Sequence, residues 1–406
     1  MNSTRPLRLG ICGLGRAFTL MLPTFTQDPR IQLVAATDPN VQACEQFEKD
    51  FGIKASENLQ AMCADKTIDA VYIASPHQLH AQHVLVAASM GKHVWVEKPM
   101  AITLDECLQM INACRAAQVQ LMVGHSHAFD WPVLKTRELI LSHRYGQVQM
   151  VTAINYTDFL YRPRRPEELI TELGGGVVFS QGAHQVDVVR RLCGGDVLSV
   201  SANARTWDSK RGSEGAYNAL LKFHSGAQAS LTYSGYAHFD SNLWMDSVGE
   251  LGAENAIFNP AQTRARLKGM DDPMQEAQLK SARNYGGSLW SGAPAQAGPM
   301  YHQHFGPLVV SCEKADLRPT PKGIFIDSDD GHELLAFEAP KIARQEVVDE
   351  FYGAVMNGQA LAHDGDWALG TLEVCLAMLD ASKTQSIIKD LAHQHGFVPQ
   401  LGTSSS

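Results

Sequence analysis

Apolar residues in the first 125 positions fall in short runs separated by amphipathic stretches. Segments 7–12 (LRLGIC), 31–38 (IQLVAATD), 70–75 (AVYIAS), 93–99 (HVWVEKP) and 121–126 (LMVGHS) have the length and continuous hydrophobicity of buried strands. The segments between them, 16–25, 40–52, 80–91 and 104–118, are amphipathic and read as helices, with Gly52 placed to close the second. Alternation of this kind predicts an α/β unit, a parallel sheet covered by helices on both faces.

The pattern changes near residue 125. Segments 148–156, 198–205, 216–224 and 227–236 alternate apolar and polar positions, as in an antiparallel sheet with one exposed face. A helix over 177–194 interrupts them, directly after three glycines at 174–176. Residues 260–306 are irregular and rich in Gly, Pro, Gln and Ser, which predicts a long excursion or lid. Two helical patterns, 342–357 and 365–382, precede a short tail, GTSSS, expected to fray. The division is therefore 1–125 for a Rossmann-type unit and 126–400 for a second α/β unit with a large, mostly antiparallel open sheet. The 406-residue length agrees with two units.

Composition narrows the partners. The net charge of −9 argues against nucleic acid, which needs a broad basic surface. No run approaches the roughly 20 apolar residues of a membrane helix, and the N-terminus passes into the first strand without a signal-peptide core. Eight cysteines without a CxxC pair read as buried free thiols of a reducing cytoplasm. His77, His80 and His83, His125 and His127, and His302 and His304 lack the cysteine or acidic company of a structural zinc site, so no metal is expected.

Three stretches carry candidate chemistry. GICGLGRAF follows the first strand and opens the first helix. Gly13 and Gly15 supply the first two glycines of a dinucleotide fingerprint, with Leu14 and Arg16 beside them and Phe18 in place of the third glycine. Asp38 ends the second strand 23 residues after Gly15, where a carboxylate meets ribose hydroxyls and repels a 2′-phosphate. That pattern favours NAD, although Arg16 and Thr37 stand near the same position. Ser75-Pro76 ends the third strand, at the sheet edge where ligands of such folds bind; His80 either serves that edge or packs its own helix. Glu97-Lys98-Pro99 ends the fourth, placing an ammonium between an acid and a conformationally fixed residue, either for catalysis or as a strand-end ion pair.

Gly13/Gly15, Ser75-Pro76 with His80, EKP and GGGVVFSQGAHQVD together resemble the glucose–fructose oxidoreductase/inositol dehydrogenase (Gfo/Idh/MocA) family along nearly the whole chain. The resemblance implies Lys98 and His184 as catalytic residues, a cis Lys98–Pro99 peptide, Asp187 one turn beyond the histidine, and assembly into homodimers or homotetramers. The family often has an aspartate four residues before that histidine; here it is Ser180, which can orient an imidazole or a water but brings no charge. YRPRRPEEL and HFGPLVVSCEKADLRPTPKGIFI further resemble the phthalate cis-dihydrodiol dehydrogenases of that family. This implies oxidation of a cis-4,5-dihydrodiol of phthalate to the catechol, with His184 as the better base and Lys98 as the alternative. A sugar or inositol dehydrogenase, or a non-catalytic nicotinamide sensor, is the competing reading. The substrate would be a dicarboxylate. Arg162, Arg164 and Arg165, braced by Pro163 and Pro166, are the guanidinium forks that could hold its carboxylates, unless Glu167, Glu168 or Glu172 occupies them.

Overall fold

In the computed structural model, residues 5–395 are described apart from 237, 255–259, 271, 291 and 293–299. Parts of the 260–306 excursion and the whole GTSSS tail lie outside the described residues. The first sheet contains β1 Leu7–Cys12, β2 Ile31–Thr37, β3 Ala70–Ile73, β4 His93–Val96 and β5 Leu121–Val123. The strands are all parallel, in the order β2-β1-β3-β4-β5. The order reverses between β1 and β3, so a crevice opens at their carboxyl ends, where doubly wound sheets bind ligands.

The helices are α1 Arg16–Gln27, α2 Val41–Phe51, α3 Leu59–Cys63, α4 His80–Ser89 and α5 Leu104–Ala116. Local chemistry sets their ends. Asn40 caps α2, and Gly52 closes it in the left-handed region at φ 67°. Thr103 and Glu106 form a capping box on α5. The short α3 has too few turns to show a period in the sequence.

The second sheet has nine strands: β6 Val148–Tyr156, β7 Val197–Arg205, β8 Ala216–Phe223, β9 Gln228–Ser234, β10 Leu308–Cys312, β11 Ala315–Thr320, β12 Gly323–Ser328, β13 Gly331–Ala336 and β14 Ile388–Lys389. Their order is β13-β12-β11-β10-β6-β9-β8-β7-β14, antiparallel except for the parallel β6–β9 pair. The meander β10–β13 was not anticipated: Pro319, Gly323 and the fully exposed β13 break the alternation that marked β6–β9. Helix α6, Trp131–Leu141, was likewise missed.

The boundary near 125 is not a boundary in packing. Helix Gln345–Asn357 places Val347, Val348 and Phe351 in one apolar cluster with Leu7, Leu9, Tyr72 and Trp95 of the first sheet. Helix Gly365–Thr384 gives Leu369 and Leu372 to the α4–α5 side, and Val374, Cys375 and Met378 to the core beneath the second sheet.

Candidate active site

The carboxyl ends of the first-sheet strands converge on one crevice. After β1, Gly13 has φ 99°, and a Cβ there would lie 2.8–2.9 Å from the Ala74 backbone, so only glycine fits between β1 and β3. A Cβ on Gly15 would meet only the Asn284 side chain, at 4.0 Å, which leaves the mouth of α1 open. Gly15 caps α1 without a side-chain hydrogen bond, and the first turn carries no acid. Unsatisfied N–H groups at the end of a twelve-residue helix fit a pyrophosphate. Asp38 accepts the Leu14 N–H at 2.6 Å and the Asn40 N–H at 2.7 Å, holding its carboxylate against the glycine loop.

His80 does not face the crevice. It is fully buried, with Nδ1 3.0 Å from the Pro99 carbonyl and Nε2 2.9 Å from the Ser75 carbonyl. It ties the loop after β3 to the loop after β4, which is the packing alternative. Pro76 caps a short 3-10 turn at 77–79, and the Ser75 hydroxyl meets His83 Nδ1 at 2.9 Å. Glu97 is also turned inward, accepting from Tyr72 Oη at 2.6 Å and from the His125 N–H at 3.4 Å.

Lys98 follows β4, and its peptide bond to Pro99 is cis. Its Nζ donates to the Ser180 carbonyl at 3.0 Å. Burial lowers its pKa; Glu97 opposes the shift and Arg164 adds to it. The Ser180 carbonyl is available because Val178–Gly182 forms a π-helical turn just before α7, Ala183–Cys193. Ser180 therefore serves the lysine through its backbone carbonyl. The glycines before this turn are required by contact. A Cβ on Gly175 would lie 2.6 Å from the Glu168 carbonyl, and one on Gly176 2.1 Å from the Glu214 carboxylate. Glu214 in turn accepts the Val178 N–H at 3.0 Å.

His184 sits on the first turn of α7, 6% exposed, with its ring against those of His127 (4.7 Å) and Phe305 (4.9 Å). Its Nδ1 accepts the His127 backbone N–H at 3.3 Å. Burial, reinforced by the positive field of Lys98, pushes its pKa well down, so the ring is neutral. With Nδ1 occupied as an acceptor, the ring proton resides on Nε2. Asp187, one turn beyond His184, is buried, and its carboxylate accepts from Ser126, Trp367 and, at 3.4 Å, Thr371.

The structure supplies the acidic company that the sequence reading found lacking for His125 and His127. The 3-10 turn His127–Phe129 brings Asp130 beside both rings. Its Oδ2 lies 2.6 Å from His127 Nδ1 and its Oδ1 3.3 Å from His125 Nε2. These three buried side chains have the donor set of a metal site, so the sequence argument against a metal does not hold here. The signal, H-x-H-x-x-D, was visible at 125–130.

The three arginines separate. Arg165 pairs with Glu167 (2.9 Å) and Glu168 (3.7 Å). Arg162, half exposed, bonds Asp158 at 2.7 Å, reaches Glu250 at 3.9 Å, and shares an electrostatic field with Arg16 of the glycine loop. Arg164 is buried, lies 3.5 Å over the Phe159 ring and donates to the Phe159 carbonyl at 2.7 Å. Among the described residues its Nε has no hydrogen-bond partner, and Glu168 is 3.9 Å away. Burial lowers its pKa to about 10 despite Glu168, and its charge acts on both Lys98 and Tyr233.

Comparison with known proteins agrees with this geometry. Residues 7–125 match the oxidoreductase family with an NAD-binding Rossmann fold, and 133–253 match the GFO/IDH/MocA C-terminal domain. A 1-carboxy-3-chloro-3,4-dihydroxycyclohexa-1,5-diene dehydrogenase from Comamonas testosteroni is 46% identical over 94% of this chain and 96% of its own. A crystal structure from Bordetella bronchiseptica RB50, described as a dehydrogenase, superposes with a TM-score of 0.88 at 38% identity, covering 95% of this chain and all of the other. The WlbA dehydrogenase of Bordetella pertussis, solved with NADH, has the same fold (TM-score 0.65, 20% identity, 95% and 99% coverage). The glycine loop, the cis Lys98–Pro99 and the histidine of α7 thus stand in a chain that belongs to the Gfo/Idh/MocA family of NAD-dependent oxidoreductases.

Proposed function

We propose that this protein oxidises a carboxylated cis-dihydrodiol to a catechol, with cis-4,5-dihydro-4,5-dihydroxyphthalate as the substrate. Residues 1–125 would bind the cofactor, and 126–400 the substrate and a second copy of the chain. The observation that carries this reading is Arg164, a buried, under-neutralised guanidinium whose charge reaches Lys98. A ring carboxylate there would relieve an uncompensated cation and fix the diol near the lysine. The Comamonas relative, whose name describes a carboxylated ring with vicinal hydroxyls, supports it.

The α1 N-terminus and Asp38 would hold NAD, which would supply a hydride acceptor at its nicotinamide ring. The chain must orient the carbinol and handle one proton. As hydride leaves the carbinol carbon, Lys98, whose pKa burial lowers, would take the hydroxyl proton, and the Nε2–H of His184 would donate to the same oxygen. Ser180, through its carbonyl, positions Lys98. Arg164, helped by Arg162, would grip the carboxylates, while Arg165 braces the loop.

The test is nicotinamide absorbance with NAD or NADP and four substrates: phthalate dihydrodiol, a monocarboxylated dihydrodiol, an uncarboxylated dihydrodiol and inositol. The proposal expects turnover of the first with NAD. Faster turnover of the monocarboxylated ring would move the assignment to the relative's substrate class. Turnover of inositol alone would overturn it.

A further inference from the structure

We propose that Arg283 and Asn284, carried by the 260–306 excursion, reach over the N-terminus of α1 and bind the pyrophosphate of NAD, so that the second unit closes the cofactor site of the first. The inference stands on the chain's membership of the NAD-binding family and is independent of which substrate the crevice oxidises.

The residue that follows them fixes their place. Tyr285 is 1% exposed, and its N–H donates to Thr19 Oγ1 of α1 at 3.0 Å. Its Oη donates to Asp50 of α2 at 2.7 Å, and its ring meets Phe18 edge-on at 5.1 Å. Trp290 packs on the same ring at 4.7 Å. A Cβ on Gly286 would lie 3.0 Å from backbone atoms of Gln42 and Ala43, so the turn is pressed against the start of α2. The Gly287 N–H donates to the Asn284 carbonyl at 2.9 Å, and the Leu289 N–H to the Ala282 carbonyl at 2.8 Å, which closes the turn on itself. On the other side, helix Pro273–Ala282 is held by Glu276, which accepts the Arg164 N–H at 2.7 Å and pairs with buried Arg211 at 2.8 Å. Residues 283 and 284 are therefore tied down from both directions.

Their own side chains take no part in that anchoring. The Asn284 amide stands 4.0 Å from where a Cβ on Gly15 would lie, and among the described residues it makes no hydrogen bond. Arg283 has no carboxylate within ion-pair distance among those residues, and neither has Arg16 on the first turn of α1. The positive field on Arg16 comes from Arg162, Arg344 and Arg283 together. Arg162 is engaged by Asp158 at 2.7 Å, and Arg344 by the Leu20 carbonyl at 2.8 Å and Gln303 at 3.1 Å. Arg16 and Arg283 remain as an uncompensated pair of cations beside a helix N-terminus with no side-chain cap. Holding like charges together costs free energy, and a dianion at the glycine loop offsets that cost.

The donor types suit that dianion. A guanidinium fork takes phosphate oxygens bidentately, and an amide N–H adds a neutral donor. Arg16 belongs to the first unit and Arg283 with Asn284 to the second, so the pyrophosphate would be gripped by both.

Calorimetric titration of the full chain with NADH, NADPH, ADP-ribose and adenosine tests this without any dihydrodiol, so it stands or falls apart from the proposed function. Arg283→Ala should weaken NADH and ADP-ribose about 10-fold, and Asn284→Ala about 5-fold, the equivalents of one charge-assisted and one weaker hydrogen bond. Adenosine, which has no phosphate, should bind both variants as it binds the parent. Arg283→Lys should recover part of the loss, and Arg283→Gln, which keeps the stem but not the charge, should not. The ligand-free Tm of each variant should match or exceed the parent's, since neither side chain bonds the protein and the loss of Arg283 removes a repulsion from Arg16. The rise in Tm on adding NADH should shrink. Unchanged affinity for NADH and ADP-ribose in both alanine variants would overturn the proposal. So would an equal loss for adenosine, or a lower ligand-free Tm in Arg283→Ala with NADH affinity intact in Arg283→Gln, because the residues would then only shape the fold. A loss confined to NADPH would overturn it too, since the cations would then read a 2′-phosphate.

Discussion

Single residues decide the chemistry here through which atom of each is already engaged. Lys98 spends one N–H on the Ser180 carbonyl and retains others for substrate. Lys98→Ala and His184→Ala should each slow hydride transfer by ~100- to 10,000-fold while leaving NAD affinity largely intact, as measured by rapid mixing and by NADH fluorescence. Ser180→Ala keeps the carbonyl and should cost little. Arg164→Ala should weaken binding of the carboxylated diol about 10- to 150-fold, the equivalent of roughly 1.5–3 kcal/mol for a charge-assisted bond. Arg165→Ala should change it far less, since that guanidinium is committed to Glu167. Asp38→Ala should erode a preference for NAD over NADP, read as the ratio of kcat/KM values; no preference in the unmodified protein would remove the basis for that role.

At the scale of elements, the loop over 161–169 is clamped from below. Glu168 bonds the Arg165 N–H at 2.7 Å and pairs with Lys280 on helix Pro273–Ala282. Burial would raise the Glu168 pKa, but Lys280, Arg164 and the Arg165 N–H outweigh it and hold it at about 2. A carboxyl depressed on folding stabilises the fold above its unfolded pKa, and that contribution is lost as pH falls from about 4.5 toward 2. Glu168→Gln should therefore lower the Tm at pH 7 and flatten its decline over that window in calorimetry. An unchanged pH dependence would mean the clamp carries no stability.

Elements also show what the sequence could reveal. The β1–β5 strands and their long helices were legible because a parallel sheet buried on both faces writes continuous apolar runs. The glycine loop, Lys98 and His184 were legible as motifs. The β10–β13 meander was not, since its outer strand is exposed throughout and has no hydrophobic face to mark it. Nor could sequence tell that His80 bridges two carbonyls, that Asp187 is occupied by Trp367, or that Ser180 contributes its carbonyl. Those depend on contacts across 5 to 180 residues.

For the whole molecule, the outer face of the nine-stranded sheet presents Met150, Leu198, Leu220, Phe325 and Leu334, each more than a third exposed. An apolar sheet face of this kind is expected to be covered by a second copy, giving a homodimer or a tetramer built from it. Light scattering over a dilution series should show the assembly, and Leu220→Lys, at a residue 61% exposed, should weaken it without unfolding the chain. No described helix is long and apolar enough to cross a membrane.

The helix at 345–357 bears on how the chain is made. Its Phe351 is fully buried against the first sheet, Tyr352 Oη donates to the Arg5 carbonyl at 2.8 Å, and Arg344 reaches the Leu20 carbonyl at 2.8 Å. Arg5 and Leu20 thus wait for partners made over 300 positions later. Until those arrive, the nascent first sheet shows water an apolar flank that a self-sufficient unit would have covered, and closure of so long a loop slows folding. A chain stopped at 340 should express as an aggregating or chaperone-bound product, and adding residues 341–357 as a separate peptide should restore part of its solubility. Phe351→Ala, a cavity costing about 3–5 kcal/mol, should mimic the truncation in the intact chain.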